Sequence, residues 1–377
     1  MNIPKGATRL VWADINLQSY GYNLTQIRKL TGPKVKLMAV VKANAYGHGI
    51  ERIAQAAEKF GADWLGCVCL AEVEKIRQAK VRLPILILNY LNPGSISAAL
   101  KLKATINVMD KDVLQEVDRK ARKLGIVAFI HVKFDTGMHR AGCLPEEGID
   151  LIRKIENFRN VRLRGVFTHL ATADEKDLSH TNNQLAIFER IIKSLLQLKI
   201  HPPLIHAANS AVTLRLPHAY YSMVRPGIIT YGLAPSADFT LPFKPKTVLS
   251  LKTVIVQIRE IDKGEAVGYC RQFIASKKTR VGLLPVGYGY GFRRGPCNFG
   301  FVLVNGQKST ILGRVSMDQT SIDLSRIPKA QIGDEVVLIG KQGTESVSVD
   351  DVAKTIGTIN YEVVTALLER VYRRYLD

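Results

Sequence analysis

The chain has 377 residues, 46% of them hydrophobic, enough for a large core and for two domains, and no apolar run reaches the ~20 residues of a membrane span. Its 53 Lys and Arg against 33 Asp and Glu leave a formal net charge of +20. The cations are scattered as singles and pairs, such as Lys277-Lys278, Arg293-Arg294 and Arg373-Arg374, with no basic tail and no aromatic–basic RNA motif, so no nucleic-acid partner is expected. Cysteines Cys67, Cys69, Cys143, Cys270 and Cys297 are odd in number and show no CxxC or Cys/His spacing. That pattern predicts reduced thiols in the cytoplasm and no metal site, and the opening MNIPKGATRLVWADI lacks the apolar region of a secretory signal.

The first 230 residues repeat a short apolar strand followed by a polar-faced helix. Strands are predicted over 35–41, 64–69, 84–88, 105–108, 128–134, 163–169, 204–208 and from 223 through Arg225. Helices are predicted between them, over 50–60, 71–78, 111–124, 146–156 and 183–198. Strands alternating with helices imply parallel pairing, and eight of them is the count of a (β/α)8 TIM-type barrel; a doubly wound sheet is the alternative. From Ser236 the character changes. SADFTLPFKPK reads as a linker, and β-type runs follow at 248–261, 280–285, 301–304, 309–312, 320–324 and 335–339. Residues 349–376 return to helical periodicity. The expected division is a barrel over 1–240 and a C-terminal β-strand domain over 241–377.

Barrel chemistry sits at the C-terminal ends of the strands. Those ends supply Lys42; His131, Lys133 and Asp135, then Arg140; His169; Asn209 and Ser210; and Arg225 followed by Gly227 and Ile228. Cations, histidines and a serine at one mouth make a poor core and a good anion site. His131, Lys133 and Asp135 share a strand face. If that face points inward, Lys133 must be paired, Asp135 being the simple partner, or carbamylated into an anion able to hold Arg140. Other signals read more plainly: GYGYG at 287–291 as a rim turn, His48, His201 and His206 as capping or packing residues, and Asp174, Asp177 and His180 as ordinary charge before a helix. Tyr269 by itself reads as a half-buried strand tyrosine.

Taken together, AVVKANAYGHG at 39–49, KFDTGMHRAG at 133–142, THLATAD at 168–174, HAANSA at 206–211, RPGIITYG at 225–232, AVGYC at 266–270, VGYG at 286–289, GRVSMDQ at 313–319 and INYEV at 359–363 resemble the bacterial, pyridoxal 5′-phosphate (PLP)-dependent alanine racemases of fold type III, nearly end to end and in order. The resemblance implies an isomerase that interconverts L-alanine and D-alanine by two-base proton transfer on a PLP aldimine, supplying D-alanine for peptidoglycan. It implies that Lys42 carries PLP and acts as one base, with Tyr269 as the other on the opposite face. Tyr46, Ser210, Gly227, Ile228 and Tyr361 become phosphate contacts, Arg225 the partner of the pyridine nitrogen, His169 its link towards Tyr269, and Asn209 part of the cofactor site. Arg140, supported by a carbamylated Lys133, binds the substrate carboxylate with Met317 and Asp318, and Tyr288 and Tyr290 line the substrate-access channel. A head-to-tail homodimer follows, with Tyr269, Met317 and Asp318 entering the other subunit's barrel. Two positions depart from the family pattern: Tyr290 stands where an aspartate is common, and Ser316 where a cysteine is frequent. Arg225 separates this reading from a fold-type III decarboxylase, which carries a glutamate there, and the presence of the Tyr269 domain separates it from a non-catalytic PLP-binding barrel.

Overall fold

The fold, known as a computed structural model, describes residues 9–295 and 298–377; Cys297 lies outside the described residues. The chain forms two units. One comprises Tyr20–Ala45 and Gly49–Lys246, the other the residues through Ser19, Tyr46–His48 and Thr247–Asp377.

In the first unit eight parallel strands run in the order Met223–Val224, Lys36–Val40, Trp64–Cys67, Ile85–Ile87, Ala104–Val108, Ala128–Lys133, Val161–Phe167 and Leu204–His206. The two end strands meet through the backbone: Ser222 N–H donates to the Ile205 carbonyl (3.1 Å) and Arg225 N–H to that of Ala208 (2.8 Å). This nearly closes a barrel and rules out the doubly wound alternative. Met38, Trp64, Leu86, Phe167 and Met223, one from each of five strands, fill part of the core, with Leu88 and Leu204 packed against them. The predicted helices are present as Ile50–Lys59, Leu70–Gln78, Lys111–Leu124, Pro145–Ile155 and Ser179–Gln197. Their ends follow local chemistry. Asp110 caps the 111–124 helix by accepting Val113 N–H (2.7 Å), and Gly125 closes it at φ 67°. The helix Leu17–Thr31 has no counterpart in the prediction; at Gly21 an added Cβ would lie 2.6 Å from the Phe60 ring, so a helix-weakening residue is retained for close packing.

The second unit is a ten-stranded sheet. Its main path runs Gln257–Ile261, Thr279–Leu284, Thr320–Asp323, Gln307–Leu312, Phe301–Val304, Glu335–Gln342, Leu249–Val254, Trp12–Asn16 and Tyr372–Leu376, with Glu345–Val347 paired to Glu335–Gln342. The expected run 248–261 is thus two strands. The C-terminal reading needs correction: helices Val349–Ile356 and Asn360–Thr365 are followed by a strand, Tyr372–Leu376, that pairs in parallel with Trp12–Asn16. An ion pair fixes that edge, because Arg374 donates to both oxygens of buried Asp14 (2.6 and 2.9 Å). A separate hairpin, Ala266–Val267 with Phe273–Ile274, carries Tyr269 at its tip.

Candidate active site

Lys42 lies two residues past the barrel strand Lys36–Val40, at the edge of a backbone the sequence did not foretell. Ala43, Asn44, Ala45 and Tyr46 all have φ between 52° and 53°, a turn of left-handed helix built without glycine. Such a conformation costs roughly 1–2 kcal/mol per residue, so several kcal/mol must be offset by its contacts. Ala45 N–H donates to the Val41 carbonyl (2.9 Å), and Asn44 accepts Gly49 N–H on its carbonyl (3.0 Å) and Ile50 N–H on Oδ1 (2.9 Å). Burial, and next the nearby Arg140 cation, pull the Lys42 amine below its ordinary range. A larger neutral fraction is what a nucleophile or base requires.

Arg225 is 5% exposed and hydrogen-bonded through both terminal nitrogens. Nη1 donates to His206 Nδ1 (2.9 Å); Nη2 donates to the carbonyls of Thr168 (2.9 Å) and Ala207 (3.1 Å) and reaches His169 Nδ1 (3.4 Å). Nε–H and the second Nη1–H are the donors these contacts leave. A guanidinium only donates, so His206 carries its proton on Nε2 and donates it to His131 Nδ1, 2.9 Å away. His131 then holds its own proton on Nε2, a buried atom that has no hydrogen-bond partner among the described residues. Both rings are held neutral: burial, then Arg164 and Arg225, push His131 down to about 3, and burial followed by Arg225 pushes His206 well below its usual value. Burial also draws Arg225 down to about 9, still protonated at neutral pH. Phe167 lies under this row, stacked on His206 at 4.9 Å, with the Arg225 guanidinium 5.5 Å from its ring centre. From sequence His206 reads as a packing residue, and nothing in the sequence singles out Phe167. Both end barrel strands, and the rule that pointed to Lys42 pointed to them too.

His131 and Lys133 do face inward, at 0% and 7% exposure. Burial, then Arg140 and Arg225, bring Lys133 down to about 8. Among the described residues no carboxylate reaches ion-pair distance of its amine. Asp135, the simple partner from sequence, instead accepts the N–H groups of Gly137, Met138 and His139 on Oδ1 (2.9, 3.0 and 3.1 Å). It therefore shapes the loop that ends in Arg140. The base of that loop is pinned where Cys143 N–H donates to the Lys133 carbonyl and Asp135 N–H to that of Cys143, each at 2.8 Å. His169 is drawn well below its usual value by burial and then by Arg225, Arg140, Lys133 and Lys42. The mutual influence of Lys42, Lys133, Arg140, His169 and Arg225 puts them in one cationic field at the barrel mouth. Asn209 caps the short helix Ser210–Arg215 by accepting Val212 N–H (3.1 Å), and Ser210 Oγ accepts Gly227 N–H (2.9 Å), which leaves the hydroxyl proton to donate. Ile228 opens the next helical turn, Ile228–Tyr231.

The second unit holds the remaining candidates. Tyr269 is 64% exposed, with the Arg294 guanidinium 5.7 Å from its ring centre, and its turn is tight: Gly268, Cys270 and Arg271 have φ of 72°, 62° and 48°. Tyr288 and Met317 are also exposed. GYGYG is more than a rim turn. Tyr288 N–H donates to the Ser316 carbonyl (3.1 Å) and Gly289 N–H to that of Met317 (2.8 Å), and a Cβ on Gly287 would lie 2.0 Å from the Ser316 oxygen. The glycine run is thus the platform under Met317 and Asp318. Arg370, unremarked in the sequence, pairs with Asp318 (2.7 Å) and lies 4.3 Å from the Tyr290 ring centre. Tyr46 and Tyr361 pair with ring centres 6.2 Å apart, and His48 Nδ1 donates to the Tyr46 carbonyl at 2.8 Å. Among the described residues no cluster of three metal-ligating side chains occurs, and no helix is long and apolar enough to cross a membrane.

A barrel that ends its strands in a lysine of lowered proton affinity, an anchored arginine and a cationic rim has the make-up of an anion-binding site with a lysine suited to covalent attachment of a carbonyl cofactor. The N-terminal domain of alanine racemases matches residues 15–235, and their C-terminal domain matches 248–375. The alanine racemase of Halothermothrix orenii is 38% identical over 371 residues, 98% of each chain. That of Methanococcus maripaludis is 37% identical over 370 residues, 97% of this chain and 98% of its own. Among solved structures, alanine racemase of Clostridium difficile 630 superposes with a TM-score of 0.93 at 34% identity, covering 98% of this chain and 96% of that one. The Bacillus anthracis enzyme with bound L-Ala-P gives 0.93 at 34%, covering 98% and 95%. The chain belongs to the alanine racemase family, PLP-dependent isomerases. The donor set fits that cofactor: an amine of lowered proton affinity at Lys42, a free Nε–H on Arg225, and the Ser210 hydroxyl beside Gly227.

Proposed function

We propose that this protein interconverts L- and D-alanine by two-base proton transfer, with Lys42 and Tyr269 as the bases and PLP as cofactor. The observation that carries the proposal is the cationic field at the barrel mouth, in which Lys42 has lowered proton affinity and Arg225 is anchored through its terminal nitrogens. Bound PLP supplies an electron sink that makes the amino acid Cα–H acidic. Lys42 would hold it covalently, Ser210, Gly227 and Ile228 would hold its phosphate, and Arg225 would meet its pyridine nitrogen. A guanidinium does not give up its proton, so Arg225 would donate there without protonating the ring, which would restrain side reactions such as transamination.

The residues then divide the work. Lys42 Nζ takes or returns the proton on one face, and Tyr269 Oη does so on the other, because inversion at Cα requires a base on each side. Arg140 binds the substrate carboxylate with the Met317–Asp318 segment, and carbamylated Lys133 steadies Arg140. Two features support carbamylation: the buried amine has no carboxylate partner among the described residues, and at about 8 its proton is lost readily enough for it to attack CO₂. The exposure of Tyr269 and Met317 supports a head-to-tail homodimer in which they complete the site of a second copy. The bound L-Ala-P of the Bacillus anthracis enzyme and the cycloserine of a Clostridium difficile complex support a small, amino-acid-like ligand here. The proposal carries with it D-alanine supply for peptidoglycan and a cytoplasmic place of action.

Isotope exchange tests the two-base assignment. In Tyr269→Phe, the Cα deuterium of alanine should wash out into water from one enantiomer and stay in the other. Equal washout from both would remove Tyr269 from the mechanism.

A further inference from the structure

Glu72 has no part in the chemistry above, yet both its oxygens are engaged at the barrel mouth. It sits in the first turn of the helix Leu70–Gln78. Oε2 accepts Val68 N–H at 2.8 Å, and Oε1 accepts Ala43 N–H at 2.6 Å. The Val68 contact alone would be a local cap, a carboxylate in the first turn reaching back to the residue that precedes the N-cap Cys69. The Ala43 contact is of another kind. It comes from 29 residues away, from the end of the neighbouring strand, and it is short and charge-assisted. Ala43 N–H belongs to the peptide that joins Lys42 to Ala43, and that peptide is planar. Fixing it fixes the backbone beside the Lys42 Cα, and so the direction in which the lysine side chain leaves the chain. Of the other anchors of the left-handed turn, those at Gly49 and Ile50 act beyond Ala43, while the Ala45 N–H bond to the Val41 carbonyl spans Lys42 and Ala43 without holding the peptide between them. A strained segment persists only where its surroundings over-determine it.

We propose that Glu72 is the positioning residue for Lys42: its carboxylate ties Ala43 to Val68, holds the left-handed turn at its first residue, and so aims the lysine amine. This rests on the reading of Lys42 as the cofactor lysine and base. Charge gives Glu72 a second handle. The groups acting with Lys42 are Arg140, Lys133, His169 and Glu72, and Glu72 is the acid among them, opposing the downward pull of burial and Arg140 on the amine.

The test uses the full-length protein without and with PLP, in the variants Glu72→Gln and Glu72→Asp. Hydrogen exchange is followed in peptides covering 41–47 and 67–70, and the pH profile of Lys42 acylation is read in the cofactor-free protein. Glu72→Gln should speed exchange over 41–47 about tenfold or more, since a hydrogen bond to a charged acceptor is lost, and should move the acylation midpoint to lower pH. Glu72→Asp keeps the charge but not the reach. It should speed exchange over 41–47 while leaving the acylation midpoint near that of the parent, and it carries the test if Glu72→Gln does not fold. Unchanged exchange over 41–47 with faster exchange confined to 67–70 would reduce Glu72 to a helix cap and overturn the proposal. A failure of the Lys42 reading is seen separately: Lys42→Ala would then keep cofactor absorbance whatever the Glu72 variants do.

Discussion

At the barrel mouth the candidate groups are anchored before any ligand arrives. Arg225 is held through both terminal nitrogens, His206 and His131 are locked into single tautomers, and Asp135 gathers three N–H groups to shape the loop that ends in Arg140. The hairpin that carries Tyr269 is built the other way: two two-residue strands, a tip at positive φ, and a tyrosine 64% exposed with one cation near its ring. One region has paid for its geometry with burial and lowered proton affinities. The other leaves its chemistry on the surface, which suits a side chain that functions against another molecule's surface. In the proposed reading the barrel mouth holds the cofactor, which requires preorganisation within the fold, and the hairpin delivers the second base.

The variants that break this comparison follow in order of effect. Lys42→Ala should abolish both the visible absorbance of bound cofactor and turnover, read by spectroscopy and a chiral assay. Tyr269→Phe should keep the absorbance while slowing racemisation by roughly 10²–10⁴-fold, the usual worth of a positioned acid–base group; loss of bound PLP instead would make Tyr269 structural. His206→Leu leaves a buried Arg225 donor unpaired and His131 without its donor, a loss of about 1–3 kcal/mol or more. It should appear as a lowered denaturation midpoint with an unchanged slope.

The smallest effect concerns Lys133 and has a defined sign. Its proton affinity in the fold is about 8 against an ordinary 10.5, so the unfolded chain binds the extra proton between those values. The penalty of a buried ammonium is full below about 8 and is relieved as pH rises towards 10.5. CO₂ adds only to the neutral amine, so a labelled carbamate signal in ¹³C-bicarbonate should grow as pH rises through about 8 and be missing from Lys133→Gln. A signal that persists in that variant would assign the carbamate elsewhere.

How much of this was legible differs by region for physical reasons. The eight barrel strands announce themselves as apolar runs, and one rule, that chemistry lies at their C-terminal ends, collects Lys42, Lys133, His169, Ser210 and Arg225. The same rule reaches His206, but a lone histidine beside two alanines reads as packing until Arg225 and His131 are seen on either side of it. The left-handed turn was hidden because Ala43, Asn44, Ala45 and Tyr46 prefer the right-handed region; contacts from Asn44, Glu72 and Val41 override that preference. The strand Tyr372–Leu376 was hidden because its partner, Trp12–Asn16, lies at the other end of the chain, and YRRYL has no apolar alternation of its own. The expectation for Tyr269 rests on its motif alone, since nothing local distinguishes an exposed tyrosine that acts from one that does not.

In the proposed function this protein moves the Cα proton of alanine from one face to the other. The direct measurement is chiral separation of the products after the purified protein is incubated with PLP and L-alanine. D-alanine should appear while total alanine is conserved. Alanine that stays wholly L while PLP is bound would contradict the proposal.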